Sequence, residues 1–200
     1  MRHHVVTGAG PVGSTVALQL ADAGERVTLV TRSGSGPEHP LVERRSADVS
    51  RPDQLAAVLD GAVAVHHCIH ASRYDAATWR AELIPAEQAL LAAAGAAGAV
   101  VVFPESLYAY GAVTGPITED LPRTATRGKP GVRTELLRAR AASATPTVSV
   151  AASDFLARGC ARRTPASGWP RPSWAVAPCA WSAASTSRTR GPTCPTSPRR

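Results

Sequence analysis

A glycine turn near the start of the chain most constrains the fold. Gly8, Gly10 and Gly13 have the spacing G-x-G-x-x-G and follow a short apolar run. Gly8 permits a tight turn out of a strand, Gly10 lets a pyrophosphate approach the backbone, and Gly13 lets a helix pack closely. Pro11 and Val12 lie inside this turn, so we expect all five residues to bind the cofactor. A glycine-rich turn without a ligand is the alternative.

The flanking sequence gives this turn its context. Residues 3–6 predict a strand before the turn. The turn is followed by an apolar pattern of helical period that stops at Gly24, and Arg26–Thr31 then predicts a second strand. Strand, turn, helix and strand within about thirty residues form the βαβ unit that the motif requires. The sequence therefore predicts an α/β fold of the Rossmann type, a doubly wound parallel sheet with helices on both faces.

The basic charge of the chain is confined to its C-terminal tail. The net charge is +7, but residues 1–157 carry 14 basic and 15 acidic residues, whereas residues 158–200 carry eight arginines and no acidic residue. The tail also has seven prolines and no Leu, Ile, Phe or Tyr. Such a segment buries too little apolar surface to offset chain entropy, so we predict disorder. The prediction is a nucleotide-binding domain at 1–157 without a nucleic-acid partner.

Three explanations of the tail stay open. It is a natural basic tail for nucleic acid or membrane, a Cys-rich metal or disulfide module, or an out-of-frame translation of GC-rich coding sequence that begins near Ala157. The third is favoured, because a one-base shift of GC-rich codons makes residues 157–160 compatible with G-P-G-V.

Metal binding and membrane insertion are not expected. His66, His67, Cys68 and His70 are close in sequence, but neighbours on a strand point to opposite faces and cannot all converge on a metal. No apolar run is long enough to span a bilayer, and the N-terminus predicts a strand rather than a signal peptide. We expect a cytoplasmic protein with a small-molecule substrate.

Residues after the second predicted strand, and after a third strand predicted at residues 41–45, bear on the cofactor. Arg32 lies where an acidic residue would bind the ribose 2′-hydroxyl of NAD, and arginine there suits a 2′-phosphate. This favours NADP over NAD, with a solvated loop arginine as the alternative. Asp48 and Val49 are expected beside the adenine ring, although Asp48 could instead cap a turn.

The next strands supply candidate residues for the reacting end. His70 and Ala71 follow a strand predicted at 62–69 and are expected to line the nicotinamide ribose. Residues 99–103 predict a strand buried on both faces, which delivers residues 105–111 to the same edge. Between them, residues 74–94 predict a helix that Pro85 kinks or splits. Its expected buried stripe is Trp79, Leu83, Ala86, Leu90 and Leu91.

From residue 1 to about 157, the chain resembles the NAD-dependent epimerase/dehydratase group of the short-chain dehydrogenase/reductase superfamily. The resemblance rests on the Thr-Gly start of the glycine turn, an Ala-Asp-Val step, a serine followed by Tyr-Gly, a Thr-Glu-Asp-Leu-Pro loop and a Ser-Asp-Phe string. The group usually has G-x-x-G-x-x-G, so the glycine spacing here is that of its atypical members.

The resemblance implies a catalytic serine and a Tyr-x-x-x-Lys pair. Ser106 matches the serine, but Lys129 and Arg133 stand where tyrosine and lysine would. Tyr108 or Tyr110 would therefore have to replace the missing acid. Two functions follow. The first is an oxidoreductase or epimerase that acts on a nucleotide-sugar or a similar hydroxyl or carbonyl substrate and is impaired by loss of the region after 157. The second is a non-catalytic NAD(P)-binding sensor. The resemblance also implies a homodimer.

Overall fold

The computed structural model describes residues 1–153. The predicted disorder of residues 158–200 and the proposed change of reading frame near residue 157 lie outside the described residues, and both stay predictions.

Strands and helices alternate along the described chain, with β-branched residues in the strands and alanine-rich runs in the helices. The strands are β1 His3–Thr7, β2 Arg26–Thr31, β3 Val42–Ser46, β4 Ala64–His67, β5 Val100–Ser106 and β6 Thr147–Ala152. The helices are α1 Pro11–Asp22, α2 Pro52–Leu59, α3 Ala76–Ala96 and α4 Gly128–Ala142, with a 3-10 turn at Leu107–Tyr110.

The six strands form one parallel sheet in the order β3-β2-β1-β4-β5-β6. The strand order reverses between β1 and β4, where Val6 pairs with Leu29 on one side and with His66 on the other. Crevices at such a reversal bind ligands beyond the carboxyl ends of the strands. The predicted Rossmann-type sheet is confirmed, and the glycine turn lies at this crevice.

Helices cover both faces of the sheet, as predicted. On one face, Ala17 and Ala21 of α1 pack against Val6, Val27 and Leu29. The other face carries α2 and α3 over a cluster that includes Val5, Val65 and Val101. Helix α4 packs beside α3 through Trp79, Leu83, Val132 and Leu136.

Two expectations about burial are wrong. Strand β5 was expected to be buried on both faces, but it is fully buried only at alternate positions. The reason is that α1 covers one face of the sheet over β1 and β2, and no helix of residues 1–153 packs over β6 on that face. On that face Val148 and Val150 are 47% and 54% exposed. In α3, which continues through Pro85 without splitting, Glu87 is buried and Ala86 only half-buried. Arg140 contacts Glu87, and this ion pair explains why Glu87 is buried in place of Ala86.

No helix in the described part of the chain is both long and apolar enough to cross a membrane.

Candidate functional site

The glycine turn leaves an open backbone at the start of α1. Gly8 has a φ of +92°, which favours glycine, and its N–H donates to the carbonyl of Val30 over 2.8 Å. A Cβ on Gly13 would lie 1.9 Å from the carbonyl oxygen of Gly8, so only glycine allows this approach. A Cβ on Gly10 would meet nothing within 4 Å. Gly10 caps α1 without a side-chain hydrogen bond, and the first turn of the helix has no acidic residue. This cradle fits a pyrophosphate group.

A cavity of about 590 Å³ lies at the carboxyl ends of β2 and β3. Arg32, Arg45, Ser46 and Asp48 are among the residues that line it. The Asp48 carboxylate accepts hydrogen bonds from the N–H and hydroxyl of Ser50, and these bonds lower the pKa of Asp48. Asp48 therefore does cap a turn while it borders the cavity. Arg45 also pairs with the Glu43 carboxylate over 2.8 Å, whereas Arg32 forms no ion pair among residues 1–153.

Val49 does not line that cavity but packs against the hydrophobic core beside α2. Its predicted contact with adenine stays a prediction.

Another cavity, of about 280 Å³, joins the glycine turn to the ends of β4 and β5. Its lining includes Val12, His70, Ser106 and Tyr108. The structure thus brings together residues that the sequence assigned separately to cofactor binding and catalysis. Burial lowers the pKa of His70, partly opposed by its contact with the carbonyl of Ala71. The imidazole is therefore neutral at pH 7.

Two of the residues predicted for the reacting end, Tyr110 and Ala71, lie outside this cavity. Tyr110 is only 6% exposed, and the Arg123 guanidinium lies 5.3 Å from the centre of its ring. Ala71 packs against the cluster between α3 and α4. Tyr108, which is 39% exposed, is therefore the predicted tyrosine with access to the cavity.

Lys129 and Arg133 at the start of α4 both face aromatic rings. The Lys129 ammonium lies 3.3 Å from the centre of the Tyr74 ring. The Arg133 guanidinium lies 4.8 Å from the centre of the Trp79 ring and 3.5 Å from the Glu105 carboxylate. The cations at the expected tyrosine and lysine positions are thus engaged by residues of other elements.

A buried ionic cluster supports the floor of the cavity, and the sequence reasoning missed it. Arg140 binds Glu87 through two hydrogen bonds of 2.7 Å and Glu105 through a third of the same length. Its guanidinium also lies 3.8 Å from the centre of the Phe103 ring. The sequence feature that could have indicated this cluster is Glu87, a lone acidic residue on the apolar stripe of α3, halfway between Leu83 and Leu91.

The histidines of β4 are structural. His67 hydrogen-bonds the Thr7 hydroxyl over 2.9 Å, and burial lowers its pKa to about 4, with Arg140 and Arg133 adding to the effect. Burial also lowers the pKa of His66 to about 4, and it raises the pKa of the Cys68 thiol to about 12. Within residues 1–153 no group of three or more His, Cys, Asp or Glu side chains could hold a metal ion.

The strand order and the glycine cradle define a dinucleotide-binding protein of the Rossmann class. The model of the NAD dependent epimerase/dehydratase family matches residues 4–130. The chain belongs to this family. No curated protein matches the chain by sequence.

Solved structures share the fold at low identity. UDP-glucose 4-epimerase from Brucella ovis in complex with NAD is 22% identical over 76% of this chain and 51% of its own, with a TM-score of 0.66. The Bordetella bronchiseptica enzyme WbmG in complex with NAD and UDP is 23% identical over 73% of this chain and 51% of its own chain, with a TM-score of 0.62. Uronate dehydrogenase from Agrobacterium tumefaciens is 25% identical over 66% of this chain and 52% of its own chain, with a TM-score of 0.56. The chain spans about half the length of these structures.

Proposed function

We propose that the chain is an NAD(P)-binding oxidoreductase of the epimerase/dehydratase type that acts on a nucleotide-sugar or a similar hydroxyl or carbonyl substrate. One observation carries the proposal: Val12 of the glycine turn lines the same cavity as Ser106 and Tyr108. Family membership supports it, as do the NAD in the Brucella ovis structure and the NAD and UDP in the Bordetella bronchiseptica structure.

The crevice offers a place for each part of the cofactor. Gly8, Gly10, Pro11, Val12 and Gly13 would hold the pyrophosphate at the start of α1. The side chains proposed for the other parts are Asp48 and Val49 for adenine and His70 and Ala71 for the nicotinamide ribose. When bound, the nicotinamide supplies the hydride donor or acceptor.

We propose NADP as the preferred form. Arg32 and Arg45 line one cavity with Ser46, whose hydroxyl donates to the Arg32 carbonyl over 2.8 Å. The two guanidinium groups suit a 2′-phosphate, since arginine binds phosphate with a planar fork of donors. Arg45 is a residue that the sequence reasoning did not assign.

Within the reacting cavity, Ser106 would hold the substrate oxygen and Tyr108 would exchange a proton with it. Ser106 follows Glu105, whose carboxylate accepts from the Ser106 N–H over 2.8 Å and so fixes the end of β5. Tyr110 is the second candidate for the acid, but it is 6% exposed and does not line the cavity. Weak turnover is part of the proposal, because the resemblance places substrate-binding residues after 157.

A non-catalytic NAD(P)-binding sensor is the second candidate. The observation that favours it is the pair of cations at the start of α4, where the family resemblance leads us to expect tyrosine and lysine. Arg133 is held by Glu105 and Trp79. Under this alternative the cofactor binds and no substrate is turned over.

The test combines binding with turnover. The full chain is titrated with NADPH and with NADH, and the nicotinamide fluorescence is followed to saturation. The chain is then incubated with NADP⁺ or NAD⁺ and a series of UDP-sugars. Saturable binding with slow conversion of one sugar supports the oxidoreductase, binding without conversion supports the sensor, and no binding to a folded chain contradicts both.

The expected homodimer and the expected cytoplasmic location belong to the same proposal. Sedimentation of the full chain tests the first, and localisation of a tagged chain in its native cell tests the second.

A further inference from the structure

An aromatic cluster at the edge of the reacting cavity positions two phenol rings. Trp79 is 1% exposed and forms its base. The Tyr74 ring meets it edge-on at 5.3 Å between centroids, and the Tyr108 ring lies parallel to it at 6.4 Å. His70 packs against the same indole at 4.7 Å. The rings come from the loop after β4, from α3 and from the turn after β5, so the tertiary fold brings them together.

The hydroxyl groups of Tyr74 and Tyr108 are hydrogen-bonded to each other. Both residues line the cavity that Ser106 also lines. Tyr108 lies two residues after Ser106 in the sequence and, at 39% exposed, is the more buried of the two tyrosines. Tyr74, 61% exposed, completes the pair from the solvent side. Two phenols in this arrangement can share one proton and pass a charge between them.

One cation faces this pair without a carboxylate of its own. Among residues 1–153, Lys129 forms no ion pair, whereas Arg133 pairs with Glu105. The Lys129 ammonium donates to the Tyr74 carbonyl over 3.3 Å and lies at the same distance from the centre of the Tyr74 ring. A cation this close favours the charged form of a phenol.

We propose that Tyr74, Tyr108 and Lys129 form a composite proton-transfer unit that performs the task of the absent Tyr-x-x-x-Lys pair. Tyr108 contacts the substrate oxygen and is the catalytic residue, while Tyr74 and Lys129 act through it as positioning residues. This inference rests on the proposed oxidoreductase function. The lysine and the tyrosine that it serves thus come from different elements rather than from one helix.

The proton balance is simple. When a substrate alcohol is oxidised, its O–H proton passes to the Tyr108 phenolate, and the hydride on the same carbon leaves for oxidised NAD(P). In the reverse direction Tyr108 returns the proton to the carbonyl oxygen as the carbon receives the hydride. Tyr74 and Lys129 stabilise the negative charge that the phenol pair carries before the alcohol is oxidised and again after the proton has been returned to the carbonyl oxygen.

Other charged groups around the pair modify this charge without replacing Lys129. Arg133 from α4 is offset by Glu105 from β5, and His70 is neutral at pH 7 because burial lowers its pKa. Asp75, next to Tyr74, is engaged by Thr78 at the start of α3. Arg73 lies on the other side of Tyr74 in the sequence. Lys129 is therefore the cation whose removal should alter the phenols most.

The test is a spectrophotometric pH titration of phenolate absorbance in the full chain, which has three tyrosines. We expect one tyrosine to ionise in a separate step below the ordinary value near 10, because Lys129 stabilises its phenolate. Tyr74→Phe and Tyr108→Phe should each abolish this step. Lys129→Met should raise its midpoint by about one pH unit, and Lys129→Arg should restore it. Arg138→Met, which removes an exposed cation of the same helix, is the control and should leave it in place.

Two results would overturn the proposal: all three tyrosines ionise together near the ordinary value, or the early step persists in Lys129→Met. Circular dichroism of each variant shows whether it is folded, and the lysine variants remain decisive if a phenylalanine variant unfolds. Titration with NADPH separates this proposal from the proposed function. An early step in a chain that binds no NADPH contradicts the function alone, and NADPH binding without an early step contradicts the proton-transfer unit alone.

Discussion

The two halves of the sheet are stabilised in different ways. Around β1, β2 and β3, the contacts with α1 are apolar and come from residues close in sequence, such as Val6, Ala17 and Leu29. Around β4, β5 and β6, Arg140 joins Glu87 and Glu105, which lie 53 and 35 residues away. The first half is thus specified by local pattern and glycine geometry, and the second by distant charged and aromatic partners. A substitution therefore destabilises each half for a different physical reason.

The largest expected effect is in the glycine-turn half. Gly13→Val should destabilise the chain by more than about 4 kcal/mol, because its Cβ would overlap the Gly8 carbonyl. Urea unfolding measures this loss. Gly10→Ala is the matched control, since its Cβ meets nothing within 4 Å. It should fold normally and bind NADPH more weakly. Normal stability of Gly13→Val would contradict the close packing of the turn.

The ionic half should respond to loss of one buried partner. Arg140→Met should cost about 3–5 kcal/mol of unfolding free energy, because Glu87 and Glu105 would stay buried without a cation. Arg80→Met, which breaks an exposed ion pair with Glu135, is the control and should leave the urea midpoint almost unchanged. Equal effects of the two substitutions would show that burial does not distinguish these pairs.

Acidification should also destabilise the ionic half. The pKa of His67 is about 4 in the folded chain and about 6.5 in the unfolded chain, so the unfolded chain binds a proton first. Stability should be greatest above pH 6.5 and should fall toward pH 4, with a contribution of about 3 kcal/mol from this residue. Urea unfolding at pH 7 and pH 5 measures the slope. His67→Gln should reduce the slope without abolishing it, because the pKa of His66 is also about 4; an unchanged slope would contradict the assignment.

The smallest expected effect concerns cofactor choice at the ends of β2 and β3. Arg32→Ala or Arg45→Ala should weaken NADPH binding about tenfold, equivalent to about 1.4 kcal/mol, and leave NADH binding almost unchanged. Arg44→Ala is the matched control, because Arg44 neighbours Arg45 on β3 but lies near Glu38 rather than in the cavity. Equal weakening of both cofactors would contradict a 2′-phosphate site.

The same contrast explains how much could be predicted from the sequence. Gly8, Gly10 and Gly13 predicted the turn, and the apolar runs predicted β1, β2, β4 and β5 to within a few residues. These features depend on local sterics and periodicity. The match of Ser106 to the family serine also predicted the reacting edge.

Long-range partners could not be read from the sequence. The contact between Tyr74 and Tyr108 joins residues 34 apart, and the one between Lys129 and Tyr74 joins residues 55 apart. Nothing in the local pattern of either segment specifies its partner. The same holds for Glu87, which sits on an apolar stripe only because Arg140 reaches it.

Hydrogen exchange with and without NADPH tests the central claim, that both halves meet at one dinucleotide site. The account predicts slower amide exchange in two separate segments, residues 8–13 at the glycine turn and residues 68–72 after β4, on addition of saturating NADPH. It also predicts that Gly10→Ala weakens both effects together. Unchanged exchange at either segment, in a chain that NADPH saturates, would contradict the account.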